Sequence, residues 1–438
     1  MQGQANLTLS NSVKGFLRAG YNNQRRVGGF PSQKANTEIP DIASGLNIDF
    51  GGFGQVGINA FYAHEHFHID NVDVVDATTD FVSNAHRTTS DDYGFSLQWS
   101  KGYGSLLSRL SAGLDFRRID GKDDQDVFNT PNTLDATVVG GGKQTSVGIF
   151  AEASLKPWEK VEILGSLRYD YFGNSDGRIV TNGVPLNFSS KNLNLASPRL
   201  AARYQFIEPL AIRAAYYGGF RAPTLAELYR SFETPTFRGL PNPNLKEERL
   251  WGGDVGFDFQ LGKFSGQLNG FYNRVKNFVG SEEIGDIDGK FTAMTSNVAR
   301  IRSGGLELIG NFRVTNDLSL SVNYTYTNAV VDQGPLKGNR NEGAPQNMAG
   351  FSVNYRAPFG LYVNARGRYV DNSFQDISNT APMGAHFIFD LFASYPVYKN
   401  LEVLFIAENL FNKQYVANGF GQELGAPQQI SGGIRFRF

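Results

Sequence analysis

No cysteine occurs among the 438 residues, which excludes disulfides and thiolate metal sites. An oxidising compartment, where stray thiols are a liability, stays open. Long apolar runs are missing too. Hydrophobic residues make up 41% and mean hydropathy is −0.31. No stretch reaches the roughly 20 apolar residues that a membrane helix needs. Neither charge is in excess: 41 basic against 42 acidic residues leave a formal net charge of −1. The basic surplus of a nucleic-acid-binding protein is therefore absent, and no nucleic-acid partner is expected. Helix-period segments are scarce. Residues 2–10, QGQANLTLS, lack the basic and apolar regions of a signal peptide. No GxSxG, HExxH or Walker sequence occurs, and nothing beside His86 or His386 suggests a nucleophile, so the chain is not expected to be an enzyme. Gly52, Gly54 and Gly57 have GxGxxG spacing, but no βαβ unit surrounds them, and they predict a tight turn.

What the chain does have is glycine (50 residues), phenylalanine (35) and tyrosine (19), and a two-residue period from end to end. In LSLSVNYTYT, residues 318–327, Leu318, Leu320, Val322, Tyr324 and Tyr326 share one face, and Ser, Asn and Thr share the other. Residues 161–170 (VEILGSLRYD) and 251–260 (WGGDVGFDFQ) alternate in the same way. Short turns such as GGFG at Gly51 and QLGKF at Gln260 alternate with long polar loops near residues 25–39, 71–90, 119–143, 175–193, 221–246 and 334–344. A soluble sandwich or propeller would also alternate, but a propeller repeats at blade spacing, and no such repeat is found.

Turns at one end and loops at the other fit an all-β, transmembrane antiparallel β-barrel of about 18 strands, or 19 if ANLTLS is one. In lipid every backbone polar group needs a partner within the protein, so only helices and closed barrels can span. Arg168, Asp170, Asp254, Asp258, Glu307 and Arg435 fall on the polar faces, which suits a wet lumen. Tyr and Phe gather at strand ends, as an interfacial girdle requires. The chain ends ISGGIRFRF. Ile430, Ile434, Phe436 and Phe438 should face lipid, with Ser431, Arg435 and Arg437 inward, in a strand whose partner closes the barrel. Outer-membrane lipid and lipopolysaccharide are the expected surroundings.

Four segments resemble TonB-dependent outer-membrane receptors of the siderophore or cobalamin type. GGFRAPTLAELYR (Gly218–Arg230) resembles the family's FRAP box, and NPNLKEERLWGGDVGFDF (Asn242–Phe259) its NPNL box. NVARIRSGGLELIGNF (Asn297–Phe312) and AENLFNKQYV (Ala407–Val416) follow in family order. The match is close over residues 200–438 and rests on pattern before that. The terminal Phe438 resembles the signal that such proteins offer to the barrel-insertion machinery. The resemblance implies a 22-stranded barrel with a plug inside, in a Gram-negative outer membrane. It also implies TonB-driven uptake of a scarce nutrient, such as a ferric siderophore or cobalamin. Here residues 1–10 already read as barrel, so residues 1–438 are expected to be the barrel portion, without plug domain, motor-binding box or signal peptide. A passive porin of about 18 strands is the alternative that strand count alone favours.

The loop after the FRAP-like box carries Arg221, Tyr229, Arg230, Phe232, Phe237 and Arg238. Aromatic and arginine side chains suit stacking on a ligand and pairing with its anionic groups; the plainer reading is a strand-to-loop corner, with Arg221 paired to a loop carboxylate. Haem receptors of the family carry a His between the two boxes; residues 224–241 contain none, which speaks against haem. His64, His66 and His68 share a strand face that could hold a metal, but that face continues from Val56, Ile58, Ala60 and Tyr62 and should point outward. Asp120, Asp123, Asp124 and Asp126 in IDGKDDQD form an acidic loop tip that could hold Ca²⁺, as could GDIDGK at 285–290; a solvated loop is the plainer reading of both. No other cofactor is expected.

Overall fold

A computed structural model describes residues 1–438 except Gly29, Ala77, Thr78, Ser105, Pro235, residues 419–422 and Phe438. The terminal Phe438 of the expected insertion signal thus lies outside the described residues. One sheet of 22 strands, antiparallel in all but one pairing, forms the body. Three of its members, Val184–Asn187, Phe232–Glu233 and Phe237–Leu240, are short strands of the outer loops. The remaining 19 make the wall of a transmembrane β-barrel, and Gln2–Thr8 is one of them. No helix among the described residues is long and apolar enough to cross a membrane.

The alternation sets the two faces of the wall. Val255, Phe257, Leu167 and Val322 are exposed on the lipid side. Inside, charges are matched in pairs: Arg168 with Asp115 and Asp170 at 2.6 Å, Arg213 with Asp258 at 3.1 Å, and Arg435 with Glu402 at 3.1 Å. These groups tolerate a wet lumen and could not face lipid, where a Lys or Arg at mid-depth costs about 2–4 kcal/mol. Gly52, Gly54 and Gly57 are a turn and its exit, as predicted: the chain reverses over Gly51–Phe53, and Gly54 adopts φ +106°, which only glycine takes without strain.

Three expectations need correction. Residues 71–90 and 119–143 are not loops. They belong to hairpins of long strands: Gln55–Asp76 with Thr79–Gly102, and Leu107–Thr130 with Thr133–Trp158. A strand of 26 residues is far longer than an apolar band roughly 25 Å tall requires. Above the band both faces meet water, so the hydrophobic alternation lapses while the backbone ladder continues. Second, IDGKDDQD is therefore mid-strand and not a loop tip. GDIDGK does sit at a hairpin tip, turning through Asp288 (φ 55°) and Gly289 (φ 76°).

Third, the last strand, Gln429–Phe436, pairs on one side only, with Leu401–Glu408. Among the described residues no ladder joins it to Gln2–Thr8. Direction reverses at each of the 19 strands, so the first and last run the same way, and an antiparallel ladder between those two is not available.

Candidate ligand-binding site at the outer mouth

The site is built from the segment between strands Leu210–Arg221 and Glu248–Leu261. Pro223 ends the strand, and Thr224 starts the short helix Leu225–Tyr229. Thr224 and Glu227 form a reciprocal capping box: Glu227 N donates to Thr224 Oγ1 at 3.2 Å, and Thr224 N to Glu227 Oε2 at 2.8 Å. Arg221 donates a bidentate pair of hydrogen bonds to Glu227 and another to Glu248, all at 2.9 Å. The anchored helix presents Leu228 and Tyr229 to the wall, where both are buried with Leu245. Tyr229 stacks on Phe188 (centroids 5.7 Å apart) and lies over Gly140, Gly142 and Gly177, whose missing side chains make room for it.

From there the chain crosses the mouth. Gln125 Nε2 donates to the Ser231 carbonyl at 2.6 Å, and Asn84 Nδ2 to the Glu233 carbonyl at 2.9 Å. Phe232 stacks on the buried His86 (5.7 Å, planes 6° apart), and His86 Nδ1 lies 3.2 Å from Asp123 Oδ2. Phe237–Leu240 then adds to the upper end of strand Lys290–Arg313 as the one parallel pair among the described strands. Glu233 accepts from Arg238 at 2.9 Å and from Lys290 at 2.7 Å. Asn297 closes the segment by accepting from Lys246 N (2.9 Å) and donating to its carbonyl (3.1 Å).

Electrostatics follow from this pairing. Burial raises the Glu227 carboxyl, but Arg221 and the Thr224 cap outweigh it and hold it below the ordinary glutamate value. Burial likewise raises Glu233, and Arg238 and Lys290 bring it below normal. Glu247 is paired with Arg249 at 2.7 Å. With each acid of the segment neutralised, the exposed Arg230 and Lys246 remain as cations without an ion pair among the described residues.

The six residues singled out in the sequence thus divide. Arg221, Tyr229 and Arg238 are engaged by protein groups, Phe232 and Phe237 form a ring row with His86 and Phe291, and Arg230 points free. Asn84, Gln125 and Lys290 had no local signal, since Asn84 meets Glu233 across 149 positions of chain.

The other candidates do not converge. Asp123 lies on the opposite strand face from Asp120, Asp124 and Asp126, which pair with Arg118, Lys122 and Arg87. His64 contacts Asp91 at 2.9 Å and His68 contacts Asp70 at 3.1 Å. His66 shares their face with no such partner among the described residues. No group of three or more His, Asp or Glu gathers as a metal site among the described residues.

Wall and mouth together define a barrel of the Gram-negative outer membrane, crossed by strands and topped by an inward-folded loop. The chain belongs to the TonB-dependent receptor family: the family's model "TonB dependent receptor-like, beta-barrel" matches residues 3–410. Members are transporters and not enzymes. Among solved structures it is similar to the copper transporter OprC, with TM-score 0.81, 15% identity, and coverage of 100% of this chain and 71% of that one. The ferric yersiniabactin uptake receptor FyuA from Yersinia pestis gives TM-score 0.77 at 14% identity, covering 100% and 70%. The ferric-catecholate import receptor Fiu from E. coli K12 gives 0.77 at 15%, covering 100% and 74%. At these identities the likeness is one of fold. The family match displaces the passive-porin alternative.

Proposed function

We propose that this receptor imports an anionic metal chelate, a ferric siderophore, driven by the TonB complex. One observation carries the reading: the mouth segment keeps its acids paired and leaves Arg230 and Lys246 as free cations. Such an excess attracts an anionic ligand and speeds its capture. Phe232 and Phe237 offer apolar ring surface nearby. Arg221, Tyr229 and Arg238 position the segment, so their contribution to binding is indirect. Cobalamin carries no comparable anionic face and is the weaker fit; calcium in the outer hairpins has no converging carboxylates among the described residues to support it.

The test is uptake of label by cells with and without the gene under iron limitation, using a panel of ⁵⁵Fe-loaded siderophores beside cobalamin and copper that carry their own radiolabels. Gene-dependent uptake of a ferric chelate that stops with an uncoupler supports the reading. Gene-dependent uptake of cobalamin or copper alone overturns it.

A further inference from the structure

Four neighbouring strands, Glu248–Leu261, Phe264–Ile287, Lys290–Arg313 and Leu318–Gln333, carry an unusual outward face. Their lower edge is marked by Phe259, Phe264 and Phe312, and their upper edge by Trp251, Tyr272 and Tyr326, all exposed except the half-buried Phe259. Beside and just above that edge stand Arg249, Arg274, Lys276, Arg300 and Arg302, with Arg274 in register with Trp251. Register puts Arg249 opposite Lys276 and Arg274 opposite Arg302 on the same face as the aromatic belt. Arg274 is ten positions above Phe264 in the chain. At about 3.4 Å per residue and roughly 45° tilt it sits about 24 Å higher, at the top of an apolar band about 25 Å tall.

Like charges directly opposite each other on a sheet repel, and this patch is under-neutralised. Asp332 serves both Arg274 (3.0 Å) and Arg300 (2.8 Å), and Glu247 serves Arg249 (2.7 Å). Five cations therefore share two carboxylates. Arg302 and Lys276 are exposed and have no ion pair among the described residues, and Arg274 Nε is buried without a hydrogen-bond partner. One stretch of the rim on another strand is different. On strand Leu107–Thr130 the outward charges cancel in sequence, Arg118 with Asp120 (3.1 Å) and Lys122 with Asp124 (2.8 Å).

We propose that this patch is a binding site for the phosphorylated headgroup of an outer-leaflet glycolipid, whose acyl chains lie along the apolar wall below. Height selects the lipid: the cations stand where headgroup phosphates lie, above an aromatic belt that anchors the wall at the interface. Guanidinium pairs suit phosphate oxygens. Each basic residue beside an anionic surface contributes enough that removing two lowers affinity roughly 30-fold.

The experiment measures binding of bisphosphorylated lipid A to the detergent-solubilised protein by native mass spectrometry. Its arms are the same lipid without phosphates, inorganic phosphate as competitor, the Lys276→Ser/Arg302→Ser double variant, and an Arg118→Ser/Lys122→Ser control. Folding is checked by heat-modifiable mobility, and Arg302→Gln alone replaces the double variant if that fails to fold. Loss of about 30-fold in the double variant (about fivefold in Arg302→Gln), weak binding of the phosphate-free lipid and an unaffected control are expected. Equal binding by the patch variant, equal binding of the phosphate-free lipid, or displacement by inorganic phosphate at the lipid's own concentration overturns the proposal.

Discussion

Replacing Arg221 with alanine separates a loop that is clamped at its root from one that merely rests on the wall. In the intact protein its guanidinium makes four hydrogen bonds of 2.9 Å to Glu227 and Glu248. Hydrogen bonds to charged groups contribute about 1.5–3 kcal/mol each. Arg221 keeps 41% of its side-chain surface exposed, so solvent screens part of that, while Glu248 (14%) and Glu227 (25%) are better shielded. Breaking a buried pair by removing one partner costs about 3–5 kcal/mol; for this half-buried cluster about 2–3 kcal/mol is expected. The cost falls on the loop, because the flanking strands keep their ladders. Hydrogen exchange in detergent micelles reads it. The amides of Leu228 and Arg230, bonded to the Thr224 and Ala226 carbonyls at 3.1 and 3.0 Å, should lose roughly 30- to 150-fold in protection. Strands Leu210–Arg221 and Glu248–Leu261 should keep theirs. Unchanged exchange at Leu228 and Arg230 would refute the clamp, and a loss spread through the wall would show that Arg221 supports the barrel instead.

Other consequences are equally direct. Leu268→Arg places a cation on the lipid face at mid-depth and should cost about 2–4 kcal/mol in urea titrations of vesicle-inserted protein; Gln267→Arg, one residue along and lumen-facing, should cost under about 1. Gly177→Ala pushes a methyl group into the Tyr229 ring and should loosen the mouth segment by about 1–3 kcal/mol by the same exchange assay, whereas Gly165→Ala, with open space beside it, should be neutral for that segment. Acid should release the segment. Glu227 and Glu233 have folded values below their ordinary ones, so their stabilisation is complete above the ordinary glutamate value and is lost as pH falls through the folded values. Protection should therefore hold from neutral pH down to about 4.5 and decline below it; a decline already complete by pH 6 would contradict this.

Much of the wall was legible from periodicity alone. The expected count of about 18 strands, or 19 with ANLTLS, agrees with the 19 strands of the wall, and ANLTLS overlaps Gln2–Thr8 at the start. The FRAP-like corner was readable as a corner, because the proline two residues after Arg221 acts locally; the Thr224–Glu227 capping box came with the structure. The outer hairpins were misread as loops. Above the membrane no solvent contrast enforces alternation, so residues such as Ile119–Asp126 carry the composition of a loop while holding strand geometry. The partners of the mouth segment were invisible for another reason: Asn84, Gln125, Gly177 and Lys290 come from four different strands.

What the sequence determined by itself is the greasy-outside, polar-inside wall, because a side chain's face follows from its parity within a strand. Only the tertiary structure decided which charges remain free. Whether an arginine anchors the mouth, as Arg221 does, or stays available, as Arg230 and Arg302 do, depends on carboxylates that folding brings near it. Charge pairing acts over a few ångströms of space and is indifferent to distance along the chain.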